Sequence, residues 1–224
     1  MGLPIIEIET NFAVLYNRIL PHYGDSGYIR NMSIVLSMQK LFKRYMYASS
    51  YQVNDLKHGF GSHFYLVSQL LSTPSTNITI SLPIQTRTDK TKMILDAPLS
   101  YKYLNVCWGY LNIDEGFADI EKVKEKYLNC CRCDKCLRTL LTIDIMGYKD
   151  KYANIFDVKE YERVKNRYIG KVMALKDKAQ FPKEIYMLMQ QQHTQIPLKA
   201  RGYAIGYRLG LHSLISKVKK IIIH

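Results

Sequence analysis

The sequence lacks any apolar run near the ~18–20 residues that cross a bilayer as a helix, so no membrane span is expected. Its opening, Met1-Gly2-Leu3-Pro4-Ile5-Ile6, has no basic n-region and no cleavage site. It does not read as a signal peptide, and the cytoplasm is the expected compartment. Internal repeats and low-complexity tracts are missing too. Cysteine is scarce, with five in 224 residues, four of them bunched. That distribution fits metal ligands in a reducing compartment better than a disulfide framework. Acidic residues are also few: 19 against 32 lysines and arginines, a net charge of +13, and none after Glu184. Such a balance favours anionic partners, whether nucleotides, RNA, DNA or an acidic membrane, or simply a solvated basic surface.

What remains is an ordinary globular composition, 47% hydrophobic and 23% charged. A chain of this length suits one large domain or a domain with an appendage, burying roughly 70% of its unfolded surface.

Pro4–Glu9 reads as a short strand, and Thr10-Asn11 as the cap of a helix over Phe12–Leu20. Gly24–Gly27 is a loop. A second helix is expected from Tyr28 to Lys43, with Ile29, Met32, Val35, Leu36 and Met38 on its apolar side. Tyr45–Ala48 and Thr76–Leu82 read as strands, Phe64–Leu71 and Arg87–Leu95 as helices, and Leu104–Cys107 as another short strand. Alternating strands and helices argue for a parallel α/β sheet, whose ligands sit beyond the carboxyl ends of the strands. The loops at Asn11, Ser49–Ser50 and Pro83–Thr86 would then share one rim. Beyond Cys136 the chain turns helical, with helices expected over Asp134–Met146, Val158–Leu175, Lys183–Gln191 and Leu198–Val218.

The densest chemistry is Asn129-Cys130-Cys131-Arg132-Cys133-Asp134-Lys135-Cys136, a C-x2-C-x2-C run, with Cys107 upstream. Zinc takes four thiolate or imidazole donors in a tetrahedron, with Zn–S near about 2.3 Å. Two-residue spacings let a tight turn aim successive sulfurs inward. The turn's amides and the following helix N-terminus offset the thiolate charge. Cys107, Cys130, Cys133 and Cys136 are therefore read as one structural zinc site, closed to catalysis. Unmetallated thiols and an iron–sulfur cluster are the competing readings. Cys131 is expected to be a spare thiol.

Asn129-Cys130 through Cys133-Asp134-Lys135-Cys136-Leu137-Arg138-Thr139 resembles the Asn-Cys-Gly-x-Cys-x-Lys-Cys-x-Arg-Thr signature of a group of PP-loop proteins. These are relatives of 7-cyano-7-deazaguanine synthase, in the adenine-nucleotide alpha-hydrolase superfamily. Leu3–Asn11, Ala48-Ser49-Ser50, Gly61-Ser62-His63, Thr86–Lys90 and Val106-Cys107-Trp108 resemble other stretches of that group in the same order, so the likeness runs over Leu3–Tyr148. It implies a Rossmann-like sheet, zinc in a C-terminal lobe, and ATP-dependent adenylation of a carboxylate or carbonyl with release of pyrophosphate. Two features depart from the group. The Ser-Gly-Gly-x-Asp-Ser loop that grips pyrophosphate is missing, Gly24-Asp25-Ser26-Gly27 being only a turn. The stretch Trp108–Asn129 is also longer than its counterpart in the synthase. The expected layout is a partial PP-loop-type α/β domain over 1–107, a zinc knuckle region over 108–150 and a helical, basic region over 151–224. ATP and Mg would bind only with a complementing N-terminal segment or subunit.

Candidate nucleotide or substrate contacts are Ser49, Ser50, Gly61, Ser62, His63, Arg87 and Lys90. Ser49 and Ser50 serve equally as strand-end caps, and His63 as a structural histidine. Arg87 and Lys90 stand one helical turn apart, fit to bind phosphate or to form a solvated basic face. Asp144 suits a core hydrogen bond. In the tail, Lys199, Arg201, Arg208, Lys217, Lys219 and Lys220 interleave with Tyr203, Tyr207, Leu209, Leu211, Leu214 and Ile215. Such a segment packs on its own domain or a second copy, or holds nucleic acid. Two functions follow: the substrate-and-zinc portion of an adenylating enzyme, or a zinc-stabilised, non-catalytic binding module.

Overall fold

The computed structural model describes residues 4–11, 31–49, 52–53, 69–107 and 126–210. The chain divides into two compact units, Met1–Gln85 and Thr86–His224. Its class is mixed α/β, as expected, and the described strands form a two-stranded parallel sheet.

In the first unit, β1 (Arg44–Ala48) pairs with β2 (Asn77–Ser81), Arg44 facing Asn77 and Ala48 facing Ser81. Tyr45 and Tyr47 are half-buried on one face of β1, while Met46 points to the exposed side. Met32, on helical residues 31–37, and Ile78, on β2, are buried together, with Leu36, Tyr45, Tyr47, Leu71 and Ile80 packed around them. The helix stops well before Lys43. Its last turns tighten, with the amides of Met38 and Gln39 bonding Val35 and Leu36 three residues back. The Thr76 hydroxyl, 2.7 Å from the carbonyl oxygens of both Gln39 and Phe42, meets acceptors that a helix end leaves over.

Pro4–Glu9 is not a strand: residues 4–11 carry no regular secondary structure, and Ile5, Ile6 and Ile8 are exposed. A strand exists only through its ladder, which local alternation cannot guarantee. The expected helix over Phe12–Leu20, and most of that over Phe64–Leu71, lie outside the described residues.

The second unit is helical: α1 (Arg87–Met93), α2 (Ser100–Tyr103), α3 (Asp134–Ile145), α4 (Val158–Leu175), α5 (Gln180–Gln191) and α6 (Leu198–Arg208). Local chemistry sets the starts. Thr86 and Asp89 form a reciprocal capping box on α1. The Asp157 carboxylate accepts the Glu160 amide at 3.1 Å to open α4. Along α4, Tyr161, Val164, Tyr168, Ile169 and Val172 recur at helical spacing and are buried. They join Leu140, Leu141 and Ile143 of α3, Ile185 and Met189 of α5, and Tyr152, Ile155 and Phe156 in one core. Asp144 takes the core hydrogen bond, accepting from the Tyr161 hydroxyl at 2.8 Å while pairing with Lys165 at 2.5 Å. Leu104–Cys107, expected as a strand, has no regular structure. A short helix and a 3-10 turn (Lys149–Tyr152) were not expected from the pattern, each being a single turn with too few residues to show a period.

The α4–α6 crossing depends on Gly170. A Cβ placed there would lie 2.5 Å from Tyr203 Cβ and 2.9 Å from the Ala200 carbonyl oxygen. Ala200 and Ala204 are buried at the same crossing. Gly170→Ala is therefore expected to destabilise the fold by about 1–3 kcal/mol, despite alanine's better helix propensity. A urea or thermal denaturation midpoint equal to or above that of the parent would contradict this packing.

Candidate metal centre

Three stretches deliver the sulfurs. Cys107 lies in the irregular residues after α2, Cys130 opens the knuckle, Cys133 caps α3, and Cys136 lies in the first turn of α3. Their Sγ atoms all lie within 4.8 Å of one another, and Cys130 to Cys136 is 3.9 Å. A zinc tetrathiolate with Zn–S of about 2.3 Å has S···S edges of about 3.8 Å. No disulfide links these residues, and all four are buried. Both the donor chemistry and the spacing fit a tetrahedral soft-metal ion.

The electrostatics agree. Cys107 first, and Cys133 with it, push the Cys130 and Cys136 thiols up, with burial adding to the effect. Four thiolates cannot share this volume without a cation, and a bound metal ion reverses that penalty. The knuckle also supplies an amide, Arg132 N donating to Cys130 Sγ at 3.4 Å. Among the described residues this is the one group of three or more metal-ligating side chains.

Asn129 frames the site. Its side chain is fully buried. Nδ2 donates to the carbonyls of Leu104 (2.8 Å) and Ile155 (3.2 Å), and Oδ1 accepts the Val106 amide at 2.9 Å. Its backbone amide bonds the Ile155 carbonyl at 3.0 Å, and it forms a parallel bridge with Phe156. One amide side chain thus ties the Cys107 segment, the knuckle and the turn before α4 together. Sequence reasoning assigned Asn129 no role. Its only trace was its place in the signature beside Cys130.

Cys131 stands outside the four-sulfur cluster. It has a positive φ of 51° and is fully buried, its Sγ 3.9 Å from the Asn129 carbonyl oxygen. Burial first, and then Asp157, push its thiol up.

The other candidates scatter. The Ser49 hydroxyl donates to the Leu82 carbonyl at 2.8 Å, so it caps the strand ends. Ser50, Gly61, Ser62 and His63 lie outside the described residues. Arg87 and Lys90 share α1. The Arg87 guanidinium carbon lies 6.0 Å from the centroid of the Phe181 ring, and that of Arg138 only 3.9 Å from it. Glu184, one turn beyond Phe181 on α5, is buried and accepts the Arg87 amide at 2.7 Å. Burial, then Arg138 and Arg87, hold the Lys135 ammonium below the usual lysine range. The pattern missed Phe181 and Glu184, because nothing local distinguishes them from other residues of an amphipathic helix.

No protein-family model, curated protein or solved structure matches the chain.

Two outcomes are expected at the centre. Metal analysis of chain purified from zinc-supplemented medium should give one colourless zinc per chain. Cys131→Ala should keep that ion, while serine at position 107, 130, 133 or 136 should lose it or bind it far more weakly. A visible thiolate-to-iron band, or full metal in those serine variants, would refute the assignment. Asn129→Asp keeps the shape but loses both Nδ2 donations. It should cost about 1–3 kcal/mol and hasten zinc loss to a chromophoric chelator, whereas an unchanged release rate would show that Asn129 does not hold the Cys107 segment.

Proposed function

We propose that the chain is the substrate- and zinc-binding portion of a PP-loop ATP pyrophosphatase-like protein, working with a segment or subunit that supplies the pyrophosphate-gripping loop. The four-sulfur cluster, built from the cysteines of the signature, carries this reading. Cys131, left-handed at the signature's glycine, and the parallel pairing of β1 with β2 both support it. In a doubly wound sheet, ligands meet the carboxyl ends of parallel strands. In the described part those ends hold Ser49 and Leu82, joined by a hydrogen bond.

When bound, zinc contributes structure: a closed tetrathiolate has no open position for substrate. Its energetic weight is large, since structural zinc contributes about 10–16 kcal/mol of apparent binding free energy in small metal-folded domains. The residues of this chain would orient an oxyanion substrate and screen its charge, and nucleotide cleavage would need the complementing loop. The second reading, a zinc-stabilised module that holds nucleic acid, draws on α6, which exposes Lys199, Arg201 and Arg208 beside Leu198, Tyr203 and Ile205.

The test is AMP formation from ATP and Mg by purified, zinc-loaded chain. Alone it should form none above blank. With a polypeptide carrying the strand and Ser-Gly-Gly-x-Asp-Ser loop, AMP should appear in the presence of a carboxylate substrate. AMP formed by the chain alone would overturn the division of labour. Failure of complementation, together with a salt-sensitive affinity for RNA, would favour the second reading.

A further inference from the structure

We infer that Arg87, Lys135 and Arg138 form an oxyanion-binding site of the phosphate class, held in place by the metal knuckle. The key residue is Arg138. It is nine-tenths buried, yet its Nε has no hydrogen-bond partner. A guanidinium buried with an idle donor is costly unless something accepts from it. The Phe181 ring under its plane stacks and orients the fork, but accepts no N–H in the plane, where the donors point.

Two further cations stand around it. Arg87 reaches the same ring from α1. Lys135 lies one turn before Arg138 on α3, so both project from one side of that helix. Glu184 is the buried carboxylate at this place. Its Oε2 takes the Arg87 amide at 2.7 Å and its Oε1 takes Gln180 Nε2 at 3.2 Å, which fixes α1 against α5. One carboxylate against three cations leaves a positive surplus. Two guanidinium forks over a shared aromatic ring, with an ammonium one turn away on α3, match the several acceptor oxygens of a phosphoryl group.

The placement couples the site to the metal. Lys135 and Arg138 stand in the first two turns of α3, whose opening residues Cys133 and Cys136 are ligands. The knuckle therefore sets the direction of both cations. The site stands on this geometry whether or not the chain takes part in adenylation, and its test involves no turnover.

Binding of inorganic phosphate and of a nucleoside triphosphate to the zinc-loaded chain would be measured by calorimetry, with chloride at matched ionic strength as the blank. Saturable binding is expected. Arg138→Gln and Arg87→Gln should each weaken it about tenfold or more, while Lys159→Gln, which removes an exposed charge elsewhere, should not. Zinc content and the denaturation midpoint verify that each variant is folded. Should Arg138→Gln fail to fold, Arg87→Gln and Lys135→Gln decide. A triphosphate at least tenfold tighter than phosphate makes a nucleotide tail the occupant, and equal affinities make it a free phosphoryl group. No saturable binding, or equal weakening by Lys159→Gln, overturns the site. AMP formation absent even with the complementing loop, but phosphate binding intact, would reject the adenylation reading and leave the site standing.

Discussion

Four sulfurs held within 4.8 Å of one another in a buried volume are a problem that only a cation solves well. As thiols they fill space and contribute weak hydrogen bonds. As thiolates they repel, and contact with Cys107 first pushes the Cys130 and Cys136 thiols up. The surrounding structure is arranged to make this convergence hold. Asn129 ties Cys107's segment to the knuckle, and the knuckle opens α3. The apolar side of α3 then anchors the core shared with α4 and α5. With a metal ion bound to these sulfurs, metal binding and folding of this unit would be one equilibrium, the ordering of residues 104–107 and 129–136 set against the coordination energy.

The second constraint is close backbone approach. α6 reaches α4 only because Gly170 has no side chain and Ala200 and Ala204 have small ones. Nothing in that crossing depends on charge. Its cationic residues Lys199, Arg201 and Arg208 all remain exposed. Packing through small residues and display of charge occupy different sides of one helix: α6 packs on its own unit as far as Arg208, which agrees with the packing expectation for the basic tail.

The helices after Cys136 were legible because each repeats its apolar positions for several turns. Val158–Leu175 matches its expected bounds, and Asp134–Ile145 falls one residue short of them. The cluster of Cys107, Cys130, Cys133 and Cys136 was legible because two-residue spacings of cysteine have few other uses. The strands fared unevenly. Arg44–Ala48 and Asn77–Ser81 found each other, while Pro4–Glu9 and Leu104–Cys107 did not become strands. Alternation specifies a face, but the ladder requires a partner elsewhere in the chain. The same limit hid Asn129, which acts across 23 to 26 residues, and the Arg138–Phe181 stack, whose members belong to different helices. Arg87 and Lys90 were singled out for local spacing, whereas the structure groups Arg87 with Arg138.

That regrouping bears on what a structural metal can do without touching a ligand. A helix fixed only by apolar packing can slide or rotate slightly at little cost, and a fork that must meet an oxyanion tolerates little of either. Coordination is directional: a metal ion held by the cluster would let Cys133 and Cys136 pin the start of α3 in both rotation and translation. Lys135 lies between these two ligands and Arg138 follows two residues after the second. The cations are thus attached to the stiffest point of the unit, and the Phe181 ring limits the remaining freedom of the Arg138 side chain. Placing charge this way substitutes covalent-like rigidity at the helix start for the counter-charges that a buried arginine ordinarily needs. It leaves the Arg138 Nε donor idle in the protein alone, and an idle donor beside surplus positive charge has its complement in an anion.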